Sequence, residues 1–385
     1  MSVWHTFATA LTGAFVLLFL YLGHWFVRGL NRLRPTHLLA ESELPTATVL
    51  VAARNEAQNA IELAQSLTAL QYPREKLRIL IVDDRSSDGT AALAVSHGEG
   101  RIETLRIEVC PVGVAPKKNA ILAGIAHSSS EIIAVVDADN RPDPMWLWNH
   151  ASHLVGDTGV SAGLVFHARE DDVSEAFHGL WASEIFIFGV LSAGSIGNHF
   201  PLSANGGNLA YRRRTFDEAG AYAKNLGVIS GDDDFLVQAV AARTPWRVDF
   251  AVDAATQVPT RGPKSWSQAW EQRKRWASKC VRYERPQVAL LSVVFAGYAW
   301  LLLQLPIGIF DHRAWLWMLP LWGALWLSGI RIYAHGIRVF GPRVRCRWFP
   351  LAMIMQVPLA VAASVLGTFG RFQWKDGSVE GGALR

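Results

Sequence analysis

Residues 78–96 read Arg-Ile-Leu-Ile-Val-Asp-Asp-Arg-Ser-Ser-Asp-Gly-Thr-Ala-Ala-Leu-Ala-Val-Ser. A β-branched run ends in a cluster of acidic and turn-forming residues, and a helix former opens directly after it. The same alternation extends in both directions. Thr48 to Ala53 is expected as a strand, Ala57 to Leu70 as a helix, Arg78 to Val82 as a strand and Gly89 to Ser96 as a helix. Leu105 to Val109 then reads as a strand, Lys118 to Ala126 as a helix and Glu131 to Val136 as a strand. The order βαβαβαβ calls for an α/β fold with a parallel sheet and helices on its faces, and ligands of such sheets collect beyond the carboxyl ends of the strands.

The residues just past those ends are polar. The first strand runs into Arg54-Asn55-Glu56, the second into Asp83 to Thr90 and the fourth into Asp137-Ala138-Asp139. Neither a Walker lysine motif nor GxGxxG occurs, which argues against a P-loop NTPase and a dinucleotide-dependent dehydrogenase. Asp137 and Asp139 could flank one hard divalent cation that bridges a pyrophosphate. They could equally belong to a turn, since Asp, Asn and Pro dominate residues 137–144.

The 385 residues carry a net charge of +4 and an ordinary apolar content of 50%, so collagen-like, disordered and simple nucleic-acid-binding classes are set aside. Cys110, Cys280 and Cys346 lie far apart, which excludes a disulfide scaffold and a cysteine-rich zinc site. From Phe7 to Val27 the chain is almost wholly apolar, and Arg28, Arg32 and Arg34 follow it. That segment is expected to be an uncleaved membrane anchor with its carboxyl end in the cytoplasm. Apolar stretches are expected to return only towards the other end, at Val288–Phe310, Trp315–Ile330 and Pro350–Phe369, the last interrupted by Pro358. The arginines at 331, 338, 343, 345 and 347 would set the loop between the second and third of these in the cytoplasm.

Two further patterns carry chemistry. Gly231-Asp232-Asp233-Asp234 opens a helical run, Phe235 to Ala242, and three adjacent carboxylates favour raising at least one proton affinity towards the range of a base catalyst. A helix N-terminus with favourable acidic residues is the alternative. Gln272-Arg273-Lys274-Arg275-Trp276 lies within Trp266 to Cys280, where apolar residues recur at helical spacing, as in an amphipathic helix on a membrane surface with snorkelling basic residues.

In this order, an AxxNE-type loop, VDDxSxDxT, DAD, GDD and QxxRW resemble the family 2 glycosyltransferases over about residues 45–285. The flanking apolar segments resemble those of the membrane-bound members, the bacterial lipid glycosyltransferases and ceramide glucosyltransferases, and Trp374-Lys375-Asp376-Gly377 resembles a tail motif of such enzymes. The resemblance implies a GT-A fold, a nucleotide-diphosphate sugar donor such as a UDP-sugar, a Mg²⁺ or Mn²⁺ ion, and inversion at the anomeric carbon. It implies that Asp83, Asp84 and Glu56 lie at the nucleotide, with Lys117 and Lys118 as the basic residues near it. Asp137 would help hold donor or metal, Asp139 would ligate the metal, and Asn205, Gly207 and Asn208 would let the donor sugar or acceptor approach the backbone. Asp232 would be the base with Asp233 or Asp234 in support, Gln272 and Arg275 would clamp the pyrophosphate, and Trp276 would face the acceptor. Gly231 stands where many members have Glu, and Pro116 where the usual residue is Gly.

The organisation implied is an anchor at 1–30, a cytoplasmic catalytic domain at 45–263, an interfacial helix at 264–285, a membrane region of about three segments at 286–372 and a tail at 373–385. The implied activity is transfer of a sugar to a membrane lipid at the cytoplasmic face of a bacterial inner membrane. A processive polysaccharide synthase and a non-catalytic sugar-nucleotide-binding membrane protein are the alternatives.

Overall fold

The computed structural model describes residues 3–170, 172–341, 347–374, 377–380 and 382. Arg343, Arg345 and Cys346, and Lys375 and Asp376 of the tail motif, lie outside the described residues. The elements run α1 (Val3–Leu30), β1 (Ala47–Ala53), α2 (Ala57–Thr68), β2 (Leu77–Asp84), α3 (Thr90–Ser96), β3 (Ile102–Ile107), α4 (Pro116–His127) and β4 (Ile132–Val135). They continue with α5 (Trp146–His153), β5 (Thr158–Gly163), β6 (Val165–His167), α6 (Glu175–Gly197), β7 (Leu209–Arg212), α7 (Arg213–Ala219), α8 (Asp232–Arg243), β8 (Arg247–Ala251) and β9 (Val258–Thr260). The last are α9 (Trp266–Lys279), α10 (Arg285–Phe310), α11 (Ala314–Phe340), α12 (Phe349–Phe369) and a hairpin of β10 (Arg371–Trp374) and β11 (Gly377–Glu380).

Seven strands form one sheet in the order β3-β2-β1-β4-β7-β5-β8, and β7 runs antiparallel to both of its neighbours. The parallel half is the one the alternation predicts, and the antiparallel insertion of β7 is the addition. Ala53 at the end of β1 is level with Asp83 of β2, so the polar loops that follow share one edge. Residues alternate between two cores, as the pleat requires. Val49, Val51, Ile79 and Ile81 pack with Leu63, Leu67 and Trp146 of α2 and α5. Leu50, Leu80, Ile133 and Val135 pack on the other face with Ile121 of α4, Phe186 and Val190 of α6 and Val27 of α1.

Two expectations need correction. Apolar sequence does not return only near the carboxyl end, because α6 is long and apolar enough to cross a membrane, as are α1, α10 and α12. In α6, 72% of the apolar window is buried inside the protein, against 22–33% in the other three, because it covers the sheet. The segment Trp315–Ile330 belongs to a longer helix, α11, and falls outside those four. Its arginines at 331 and 338 lie within the helix rather than in a loop.

Helix α1 is bonded into this assembly. Its Gly29 faces the backbone of Gly194 and Gly197 on α6 with no room for a Cβ on Gly29 or Gly197. Asn198, just past α6, donates to the Trp25 carbonyl at 2.6 Å and accepts from Arg32 at 3.0 Å. Further along, Trp300 of α10 donates to Thr12 at 3.0 Å and Ser328 of α11 to the Phe19 carbonyl at 2.9 Å.

Candidate active site

At the edge where β1 and β2 end, two loops are sewn together. The Asn55 amide donates to Ser86 Oγ (3.0 Å), the Glu56 amide to Thr90 Oγ1 (2.8 Å) and the Ala57 amide to Asp88 Oδ2 (2.9 Å). Asn55 and Arg85 hold positive φ (52° and 59°), which the short polar side chain of Asn tolerates best. Asp83 is 1% exposed and its oxygens are taken by the Ser86 amide (3.0 Å) and Arg106 (2.7 Å). The Asp83 carboxylate therefore shapes the turn. Asp84 is held by Arg85 through two bonds (2.8 and 3.1 Å), with Arg54 at 3.9 Å. Glu56 accepts from Asn59 at 2.8 Å.

Past β4, Asp137 and Asn140 close a turn through a 3.0 Å backbone bond, and Asn140 Nδ2 donates to the Gly207 carbonyl at 2.7 Å. Lys117, in the first turn of α4, reaches between two distant carboxylates, Asp137 Oδ1 at 2.8 Å and Asp232 Oδ2 at 3.0 Å. Burial alone would lower the ammonium's proton affinity, but the two carboxylates outweigh it and hold Lys117 charged. The glycines of the 205–208 loop are small for an internal reason. A Cβ on Gly206 would sit 2.7 Å from Asp232 Oδ2 and one on Gly207 2.7 Å from Asp137 Oδ2.

Asn208 is tied into the core through its side chain. Its side chain is fully buried and saturated, donating to the Leu164 (2.9 Å) and Thr256 (2.7 Å) carbonyls and bonding Trp146 (2.8 Å) and His150 (2.9 Å). Lys118 donates its amine to the carbonyls of Asn225 (2.7 Å), Val228 (2.7 Å) and Ser230 (3.2 Å). It braces the loop that leads into Asp232. Burial lowers its pKa to about 8.

The three aspartates that open α8 are not equivalent. Asp232 turns to Lys117, which, with Lys118 and Lys279 behind it, overcomes burial and holds its pKa below the usual carboxylate value. Asp233 accepts from the Gly206 amide at 2.8 Å. Asp234 is completely buried, takes the Ala204 amide (3.0 Å), Lys279 (2.5 Å) and the Tyr283 hydroxyl, and is pushed up to about 6 by burial and by Asp233. The raised proton affinity expected within this triplet thus falls on the structural member.

On α9, Ser265 caps the amino end through the Gln268 amide (3.2 Å). Gln272, Arg275, Trp276 and Lys279 share one side of the helix at i, i+3, i+4 and i+7. Arg275 donates to Ser230 Oγ at 3.4 Å, and burial lowers its pKa against the pull of Asp232, Asp137, Asp233 and Asp139. Gln272 and Trp276 are half-buried, and Trp276 meets Phe188 edge-on with ring centroids 6.1 Å apart. The helix differs from a simple surface-lying amphipath. Its Arg273, Lys274 and Lys279 are each under 10% exposed because each meets a carboxylate, Glu184, Glu271 and Asp234 respectively, whereas Trp266 is 52% exposed.

Asp139 is pushed up to about 6, first by burial and then by Asp137 and Glu56, against a hydrogen bond from Thr260. Carboxylates crowded in this way fit a divalent cation. Among the described residues no three His, Cys, Asp or Glu side chains enclose a metal position. An ion held by Asp137 and Asp139 would draw its other ligands from water or a substrate's phosphates, as Mg²⁺ or Mn²⁺ does.

Residues 48–220 match the sequence model of glycosyl transferase family 2. The chain carries a family 2 glycosyltransferase domain. That domain and what surrounds it share the GT-A fold of the mannosyltransferase PcManGT from Pyrobaculum calidifontis, solved in complex with GDP-Man and Mn²⁺. The likeness has a TM-score of 0.57 at 17% identity and covers 94% of this chain and 98% of that one. A probable glycosyltransferase of Bacillus subtilis, YdaM, is 30% identical over 122 residues, which are 31% of this chain and 29% of that protein. The β-monoglucosyldiacylglycerol synthase of Trichormus variabilis is 37% identical over 112 residues, 28% of this chain and 23% of that protein. The chain thus spans less than a third of the length of these curated relatives.

Lys279, Tyr283 and Asn140 are neighbours of the candidate site that the sequence did not point out. For Lys279 a signal existed, since it lies four residues after Arg275 on the same side of an amphipathic helix.

Proposed function

We propose that this protein is an inverting glycosyltransferase that moves a sugar from a nucleotide-diphosphate sugar, a UDP-sugar, to a lipid acceptor. In this proposal it works as a multi-pass protein at the cytoplasmic face of a bacterial inner membrane. The observation that carries the proposal is the convergence of Asp137, Lys117, Asp232 and Arg275 at one edge of the sheet, beside Asp139. Helices apolar enough to cross a membrane flank that edge in sequence. The family 2 domain supports sugar transfer, and the similarity to a glucosyldiacylglycerol synthase supports a lipid acceptor.

When the glycosidic bond to a nucleoside diphosphate breaks, negative charge develops on the diphosphate. Lys117 and Arg275 are the cations at hand, fixed in place before the reaction begins. A Mg²⁺ or Mn²⁺ ion held by Asp137 and Asp139 would add positive charge beside that leaving group. Asp232, kept ionised by Lys117, is the carboxylate assigned to take the proton of the acceptor hydroxyl, with Asp233 fixing the glycine loop next to it. One displacement by that hydroxyl inverts the anomeric carbon. Asp84 and Glu56 are assigned to the nucleotide, Asn205 and Gly207 to the donor sugar, Gln272 to the pyrophosphate and Trp276 to the acceptor. Residues 1–30 form the anchor in this proposal, 45–263 the catalytic domain, 264–285 the interfacial helix, 286–372 the membrane region and 373–385 the tail.

The test incubates membranes containing the protein with a panel of labelled nucleotide sugars and separates lipid extract from insoluble material. Label in a lipid of one added hexose is expected. Label confined to an insoluble polymer would replace this proposal with a processive synthase, and no transfer from any donor would replace it with a binding protein.

A further inference from the structure

Arg273 and Arg275 are two residues apart on α9, so they leave the helix on opposite sides, roughly 200° apart. Arg275 faces the carboxylates. Arg273 faces a cavity between α6, α9 and α12 lined by Trp181, Ser183, Glu184, Met353, Gln356 and Leu359. Its guanidinium pairs with Glu184, bonds Gln356 at 3.2 Å and lies 5.1 Å from the centre of the Trp181 ring.

Two donors in this wall lack an acceptor. Arg273 Nε and Trp181 Nε1 are buried without a hydrogen-bond partner, on residues 7% and 6% exposed, and Glu184 Oε1 beside them, apart from its ion pair with Arg273, is a buried acceptor without a hydrogen-bond donor, which the hydrogen of a hydroxyl can meet. A buried donor left unpaired costs free energy that an oxygen acceptor would recover. The enclosed space is about 30 Å³, room for about two water-sized groups. The space is partly open, and two of its walls, α6 and α12, are helices apolar enough to cross a membrane, with Leu351 and Ile354 of α12 exposed. An occupant therefore has a small oxygen-bearing end and a long apolar remainder. Its charge is fixed by Glu184, which already neutralises Arg273 and would repel a phosphate.

We propose that this cleft binds an uncharged glycerolipid of the bilayer, with a hydroxyl or ester oxygen accepting from Arg273 Nε and Trp181 Nε1 and the acyl chains lying along α6 and α12. The site is on the far side of α9 from the carboxylates, and it rests on the membrane placement proposed above but not on which lipid receives sugar.

The experiment is native mass spectrometry of the full-length protein, with dioleoylglycerol and dioleoylphosphatidic acid as probes and no nucleotide sugar present. Dioleoylglycerol is expected to stay bound, and phosphatidic acid to be retained at least about five-fold less. Ala352→Phe, which narrows the cleft from α12, is expected to abolish retention. Trp181→Phe, which keeps a ring and removes one donor, is expected to weaken it about five-fold. Equal retention by wild type and both variants, or phosphatidic acid bound as well as dioleoylglycerol, would overturn the assignment. Because transfer is not read, this result is independent of the glycosyltransferase proposal.

Discussion

Asp234→Asn is expected to damage stability rather than chemistry. The carboxylate is completely buried and holds Lys279 at 2.5 Å, the Tyr283 hydroxyl and the Ala204 amide. The amide keeps the shape but leaves the buried Lys279 ammonium with Asp233 at 3.6 Å as its remaining carboxylate among the described residues. Breaking one side of a buried pair costs about 3–5 kcal/mol, and for a domain of this size about 1 kcal/mol moves the melting temperature by about 2–4 °C. A drop on the order of 10 °C is therefore expected, read by thermal unfolding of detergent-solubilised protein. Asp232→Asn should cost about 2 kcal/mol or less, because Lys117 keeps Asp137 at 2.8 Å. The double change Asp234→Asn with Lys279→Met should regain part of the loss, since a buried pair replaced on both sides leaves no stranded charge. Equal melting of the three single aspartate variants at positions 232, 233 and 234 would refute this argument. It would return the triplet to the role of interchangeable helix-end charges.

Further outcomes are expected. Asp232→Asn should retain nucleotide affinity, measured by calorimetry, while transfer falls by at least roughly 10²-fold; near-native transfer in a folded protein would move the base elsewhere. Chelation should silence transfer and Mg²⁺ or Mn²⁺ restore it, with Asp139→Asn unresponsive to either ion, so full activity in excess chelator would exclude a metal at Asp137 and Asp139. His153 sits between Asp249 (3.0 Å) and Asp253 (2.8 Å), and although burial opposes it, the two carboxylates raise its pKa to about 9. Folded protein thus holds the proton more tightly than unfolded protein, so the bond's contribution, about 3 kcal/mol, is complete below pH 6.5 and lost as pH rises through 9. The melting temperatures of wild type and His153→Gln should accordingly lie far apart at pH 6 and converge by pH 10. Cysteine reporters placed near Arg34 should resist an impermeant thiol reagent in intact cells, and labelling there would reverse the proposed orientation.

The parallel half of the sheet was legible because its code is local. Expected Thr48–Ala53 and Arg78–Val82 became Ala47–Ala53 and Leu77–Asp84, and each polar stretch fell at the predicted edge. Helix α9 ends within one residue of its predicted limit. β3 lies about three residues earlier than expected, at Ile102–Ile107 rather than Leu105–Val109. What stayed hidden depends on distance along the chain. No spacing rule joins Lys117 to Asp137 and Asp232, since the three meet only when α4, β4 and α8 are assembled. α6 escaped notice because Ser, Gly, His and Glu interrupt its apolar residues, and two of those interruptions, Gly194 and Gly197, are where it meets the backbone of α1. The saturation of Asn208 and Lys118 was equally invisible, as a buried polar residue and a ligand-binding one have the same letter.

The glycine crossing of α1 on α6 has a mechanical consequence. Backbone lies against backbone there, and Asn198 and Arg32 lock the exit of the first helix. The amino-terminal segment is thus a strut set into the α/β core, unlike a flexible leash that would let the core drift. With α1 seated in a bilayer, the sheet edge bearing Asp137 and Asp232 stands at one height above it. In the function proposed above, such a strut would act as a depth gauge, favouring acceptors whose hydroxyl rides at that level. Replacing Gly29 with a bulkier residue would alter the gauge without touching the chemistry.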